Sequence, residues 1–285
     1  MIKTVFIVGN KRSGSTQLMR LLNLHPRIFI SNESDIIWIL YRFHQGLEII
    51  PYRWDSPLGM STTLKICGHL LSKDKTPLEN FVTIQTYLME NGFLKVKPMH
   101  KTELMWIGDQ KPFQQIDPKV IPFIQQNFPD TKYIHLIRHP FPVIRSSKIF
   151  VGEGGDGGPI WRGMNDQELL ERWTMHESWV KQEKANPTFP MLDVKYEDIV
   201  EHTETEMRKI LQFLTLDDDQ DLLKTARQST ERLLKLHPRL VCSPETQAIM
   251  AEYGYQTTSR LLENELYVKI INKFRKIKHK LTGTW

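Results

Sequence analysis

Apolar residues gather along the chain in two ways, as short β-branched runs and as stretches with helical spacing, and the two alternate. The first run, Val5 to Val8, stops at Gly9 and gives way to a polar turn reaching Gly14. Leu18, Leu21 and Leu22 then recur at helical spacing, which makes the unit strand, loop, helix. Pro26 ends that helix, and Ile28 to Ile30 form a short second strand. Ile36 to Phe43 and Phe81 to Met89 read as helices on either side of a Pro- and Gly-punctuated connection from Pro51 to Gly59, and Phe93 to Val96 reads as a strand. Gly108-Asp-Gln-Lys-Pro112 reads as a turn, and Pro118 to Phe128 as a helix closed by Pro129.

The second half repeats the pattern. Tyr133 to Ile137 is a buried strand followed by a helix from Val143. Gly152 to Gly158 holds five glycines in seven residues, too many to pack, and reads as a mobile loop, either a lid or a surface connection. Asp166 to Ala185 is a long amphipathic helix with Leu169, Leu170, Trp173, His176 and Val180 inward. Met191 to Tyr196 is the next strand, Glu197 and Asp198 its polar exit, and Thr203 to Phe213 a further helix. In the tail, about 264–281, Tyr267, Ile270, Phe274, Ile277 and Leu281 share one helical face and Lys269, Lys273, Lys276 and Lys280 surround the other. Such a helix either covers the core or touches an anionic surface.

Strands alternating with helices specify an α/β fold, and 285 residues with 40% hydrophobic side chains suit one domain over 1–285 with insertions. The net charge of +5 fits an anionic ligand and equally weak nucleic-acid binding. Cys67 and Cys242 lie far apart with no C-x-x-C pair, so neither a disulfide framework nor a thiolate metal site is indicated, and His44, His69 and His100 lack ligand spacing. With no leader pattern and no apolar run of membrane length, the expected setting is soluble and cytoplasmic.

The candidate chemistry starts at the first loop. Loop amides and the positive end of a helix dipole converge there, which suits phosphate or sulfate. The frame is G-x4-G, but Ser15 stands where a nucleotide triphosphate loop needs Lys, Thr16 follows it, and the cations have moved inside the loop as Lys11 and Arg12. Glu33 follows the second strand and so reaches the same sheet edge. Arg138 ends the Tyr133 strand where a metal-dependent NTPase of this architecture typically puts a metal-binding Asp. Ser146 lies about two turns further on, near enough to share one phosphate with it.

The order of the Lys-Arg-Ser-Gly-Ser-Thr loop, His25-Pro26, Glu33, the Asp-Gln-Lys-Pro turn, Ile-Arg-His-Pro with Ser146, and Val-Lys-Tyr-Glu-Asp-Ile199 resembles the sulfotransferases that use 3′-phosphoadenosine 5′-phosphosulfate (PAPS). The resemblance runs from about residue 3 to 214 and implies a P-loop-type three-layer fold, a central mostly parallel sheet flanked by helices. It implies that Lys11, Arg12, Ser13, Gly14, Ser15 and Thr16 grip the 5′-phosphosulfate, that Arg138 and Ser146 hold the 3′-phosphate, and that Tyr196 lies near the adenine. Glu33 matches the base of the carboxylate-type branch. The branch with a histidine base draws it from another segment with no equivalent here, His100 being the alternative. Many members read Asp-Lys-x-Pro at the turn, where this chain has Gln110 and puts Lys111 next door. His139 replaces a commoner acidic residue.

The implied reaction is metal-free in-line sulfuryl transfer to a hydroxyl or amine of a small molecule, with PAP (3′,5′-adenosine bisphosphate) as product. Glu33 acts as base, and Lys11, Arg12 and Lys111 meet the developing charge. Glu153, Asp156, Asp166 and Glu168 suggest a cationic acceptor such as a guanidinium alkaloid of toxin biosynthesis. The alternatives are a P-loop kinase or NTPase, and a basic module binding nucleic acid or membrane.

Overall fold

The computed structural model describes residues 2–255 apart from Trp54, Lys95, 153–162 and 229–239, so the Gly-rich loop and the basic tail helix lie outside the described residues. Five parallel strands form one sheet, β1 (Lys3–Gly9), β2 (Ile28–Asn32), β3 (Trp106–Gln110), β4 (Thr131–Ile137) and β5 (Met191–Lys195), in the order β2-β3-β1-β4-β5. All their pairings are parallel, so every connection must cross over, and helices flank the sheet as such crossovers require. This is the α/β fold expected. The hydrophobic run of β1 sits at the centre of the sheet, with Val5 to Val8 fully buried. The Phe6 ring lies 5.9 Å from that of Phe81, 6.3 Å from Phe128 and 5.8 Å from Tyr133.

Among the described residues the α-helices are α1 (Ser15–Leu22), α2 (Ile36–His44), α3 (Pro57–Cys67), α4 (Pro77–Asn91), α5 (Ile121–Asn127), α6 (Pro140–Gly152), α7 (Asp166–Ala185), α8 (Tyr196–Glu201), α9 (Thr203–Phe213), α10 (Gln220–Gln228) and α11 (Pro244–Glu252). The bounds of α7 and α9 match the sequence reading, and all five inward residues expected on α7 are buried. The start of α7 is sharp because Asn165 and Glu168 form a capping box. No helix of the described residues is long and apolar enough to cross a membrane.

Four expectations need correction. Gly108, Asp109 and Gln110 are not a turn but the carboxyl half of β3, paired with Val5, Phe6 and Ile7. They draw partners from other elements: Asp109 accepts from the Ser31 hydroxyl at 2.6 Å and from Gln115 at 3.1 Å, and Gln110 donates to Ser15 at 2.7 Å. Phe93 and Val96 make only an isolated antiparallel bridge, since Leu94 at φ 48° turns the chain back on itself. Part of the punctuated segment is α3, because Pro57 is tolerated in a first turn and the Ser56 side chain caps it. Tyr196 begins α8 instead of ending β5, and Glu197 and Asp198 lie in its first turn.

Candidate active site

The chain leaves β1 at Gly9 and forms a tight loop, with Arg12 at φ 72° and Gly14 at φ 96°. The Ser13 amide bonds the Asn10 carbonyl at 3.1 Å, and the Gln17 and Leu18 amides both bond the Gly14 carbonyl, which starts α1. Left-handed residues of this kind build amide concavities that suit anions, and α1 adds its dipole with no acidic residue in its first turn. A side chain at position 14 is barred twice, by the positive φ and because a Cβ there would lie 2.4 Å from the Tyr196 ring. Gly14 therefore lets the aromatic ring at the start of α8 lie directly on the loop.

Arg138, at the end of β4, joins this assembly. Its Nη1 donates to the Arg12 carbonyl at 2.8 Å, its guanidinium carbon is 4.0 Å from the Tyr196 ring centroid, and its own carbonyl accepts from Trp173 at 3.2 Å. Ser146 on α6 accepts from Arg12 Nε at 3.2 Å, so Arg138 and Ser146 meet through Arg12. Two buried polar groups in this cluster, the Ser13 hydroxyl and Arg138 Nε, lack a hydrogen-bond partner among the described residues. Buried groups left so are costly, and an incoming anion would satisfy both.

Glu33 stands at the neighbouring corner. Asn32, the last residue of β2, accepts from Thr16 at 3.3 Å, which ties that strand end to the first turn of α1. Glu33 follows at φ 51°, half-buried, with its amide bonded to the Gln110 carbonyl at 3.0 Å and its carbonyl against Gly59. Beneath lies an ionic cluster that the sequence reading did not single out. Lys111 is buried, 2.9 Å from Asp35 and 3.4 Å from Asp55. Lys11 pairs with Asp55, and Gln114 donates to Asp35.

Burial disfavours a charged Lys111, but the carboxylates of Asp35 and Asp55 outweigh it and raise its pKa. Burial likewise opposes an ionised Asp55, and Lys11 and Lys111 overcome it, whereas burial and the neighbouring Asp55 charge raise Asp35. Lys111 is thus brought within one carboxylate of Lys11 and is held there by two acids. Asp35 could have been found in the polar stretch after β2. Asp55 offered no local signal.

Two of the acidic residues read as suiting a cationic acceptor are engaged elsewhere. Asp166 pairs with Lys148 and Glu168 caps α7, while Glu153 and Asp156 lie outside the described residues. His139 stacks beside Tyr255 at 4.9 Å, and its amide bonds Glu197 at 3.1 Å.

Behind the loop, His135, His176 and Glu177 bring metal-ligand atom types within 4.8 Å of one another, all buried. Those atoms face each other: His135 is 3.1 Å from Glu177 and 2.9 Å from Asp193, and His176 donates from Nε2 to the Pro112 carbonyl at 3.0 Å. Burial disfavours a charged His135, but Glu177 and Asp193 outweigh it and raise its pKa above the ordinary 6.5. A base whose pKa rises on folding stabilises the native state below its unfolded value and loses that contribution as pH climbs through the folded one. Urea unfolding is expected to show a loss of stability as pH rises above the ordinary histidine range that is larger in the wild type than in His135→Gln. Equal losses in the two proteins would acquit His135.

The sequence model of the Sulfotransferase family matches residues 4–221. A sulfotransferase domain from the Synechococcus PCC 7002 olefin synthase superposes with a TM-score of 0.56 at 20% identity, covering 90% of this chain and 96% of that one. The sulfotransferase domain from the curacin biosynthetic pathway gives 0.55 at 18% identity, covering 90% and 99%. Protein-tyrosine sulfotransferase A of Caenorhabditis elegans is 22% identical over 223 residues, 77% of this chain. The chain spans about half, 51%, of the length of that curated relative.

Proposed function

The chain belongs to the sulfotransferase family, and from that premise we propose that it moves a sulfuryl group from PAPS to a hydroxyl or amine of a small-molecule acceptor. In this reading the loop amides from Ser13 to Thr16, with Lys11 and Arg12, take the 5′-phosphosulfate. Arg138 and Ser146 take the 3′-phosphate, and Tyr196 stacks near the adenine. The acceptor oxygen attacks sulfur, the bond from sulfur to the bridging oxygen breaks, and PAP departs as the new sulfate ester forms. Glu33 takes the acceptor's proton, and Arg12 and Lys11 stabilise charge on the sulfuryl and bridging oxygens. Lys111 acts through the acids it pairs with, keeping Asp55 beside Lys11.

One observation carries the reading: Arg138 joins Arg12 and the Tyr196 ring that lies on Gly14, and Arg12 joins Ser146, which supports a second anion position beside the loop. A kinase-type site needs a metal-binding acid at the end of β4, and Arg138 is there instead. The names of the relatives include a tyrosine sulfotransferase, which supports a hydroxyl as the accepting group.

Calorimetry is expected to detect PAP binding without metal and to give far weaker binding of ATP–Mg²⁺. Arg138→Ala should lower PAP affinity by about 10²-fold while changing 5′-AMP affinity little, since a charged hydrogen bond to phosphate is lost only with the former. Equal losses for both nucleotides would deny Arg138 the 3′-phosphate. Consumption of PAPS across a panel of hydroxyl and amine metabolites would then identify the acceptor.

A further inference from the structure

Glu177 is the hub of a buried network that ends on the loop. Its side chain is 1% exposed, on α7. Oε1 accepts from Asn10 Nδ2 at 2.6 Å and lies 3.4 Å from His176 Nδ1. Oε2 accepts from the Tyr253 hydroxyl at 2.8 Å and lies 3.1 Å from His135 Nε2. Asn10 is the first loop residue after β1 and is itself buried. The adjacent grip comes from His176: the Pro112 carbonyl that takes its Nε2 proton also accepts the Gly9 amide, at 3.4 Å. Two consecutive residues of α7 therefore hold two consecutive residues of the chain where the strand becomes the loop.

The chemistry fits a fixed anchor. Burial opposes an ionised Glu177, but the neighbouring His135 charge outweighs it and holds the carboxylate well below its usual range. An ionised acceptor makes shorter and stronger hydrogen bonds than a neutral one. Asn10 is 167 positions from Glu177, and its side-chain amide donates to this contact while its backbone carbonyl accepts from the Ser13 amide. Fixing Asn10 thus fixes the start of the turn that orients Arg12, Ser13 and Gly14.

We propose that Glu177 is a positioning residue for the anion-binding loop, setting through Asn10 the angle at which the chain leaves β1. The inference rests on the reading of this loop as the 5′-phosphosulfate site. It implies that Glu177 acts on ligand affinity through one hydrogen bond and not through general stability.

A double-mutant cycle on PAP affinity tests this, measured by calorimetry well below the unfolding temperature. Glu177→Gln and Asn10→Ala should each weaken PAP binding by about 10-fold, and the double variant should be less than about 2-fold weaker than Asn10→Ala alone. The unfolding midpoint, by contrast, should fall on Glu177→Gln by a similar amount in both backgrounds, because the carboxylate charge that faces His135 is lost in each. Affinity losses that simply multiply would overturn the proposal. Should Glu177→Gln fail to fold, Asn10→Ala decides alone, since unchanged affinity there breaks the only link to the loop that the proposal names. A stoichiometric transition metal found in the wild type and lost from Glu177→Gln would also overturn it, by making the cluster a metal centre. A wild type that does not bind PAP would instead sink the functional reading beneath it.

Discussion

Replacing Glu33 by Gln is expected to lower turnover by about 10²- to 10⁴-fold, the range general-base catalysis supplies, while PAP affinity stays nearly unchanged. The substitution preserves shape and leaves the backbone features that hold the residue, its amide bond to Gln110 and its carbonyl against Gly59. It removes the proton acceptor together with a charge that acts on Lys111, which Asp35 and Asp55 continue to hold. Because the proton moves only as the acceptor attacks, the loss should appear in kcat, with the donor's KM little altered. Steady-state kinetics with PAPS and an accepted hydroxyl, beside PAP calorimetry, checks both halves. Turnover within a few-fold of the wild type would remove Glu33 from the base role.

Gly108→Ala should damage the fold itself. A Cβ at that position would sit 1.9 Å from the Val5 carbonyl oxygen, in the pairing of β3 with β1 at the centre of the sheet. Neither strand can withdraw, because β1 is fixed on its other side by β4 and β3 by β2. Overpacking a core typically costs about 1–3 kcal/mol, and a clash between two backbones should exceed that range. Against a typical total stability of about 5–15 kcal/mol, a domain of this size would lose on the order of 10 °C in Tm or fail to accumulate. Thermal unfolding by circular dichroism reads it directly. A change of only a degree or two would show that the strands can separate locally.

The same glycine shows where sequence reading stops. Gly108-Asp-Gln looks like a turn because Gly and short polar residues favour turns. In the fold, Asp109 and Gln110 are fully buried and draw their partners from other elements, Asp109 from Ser31 and Gln115 and the Gln110 amide from Ser15. Nothing local announces such partners. By contrast β1, α7 and α9 were legible because their signals are local, a continuous β-branched run or a helical period opened by a polar residue. The misplaced loop cations, Arg138 at a strand end and Ser146 beyond it were legible for the same reason. That Arg12 is the group meeting Ser146, and that Lys111 and Lys11 share Asp55, required the tertiary fold, since the partners lie 134 positions apart in the first case.

The placing of β1 in mid-sheet also governs the order in which the molecule can assemble. Residues 3–9 pair as a strand with 106–110 and 131–137, so no neighbouring hairpin can satisfy the edges of this apolar segment first. At ribosomal rates of about 5–20 residues per second, the segment emerges roughly 6–26 s before its second neighbour is made. Closing so long a loop is slow, and an apolar strand with bare edges is what chaperones capture and aggregates recruit. The loop most directly tied to the ligand is therefore among the last features to take shape as the protein is synthesised.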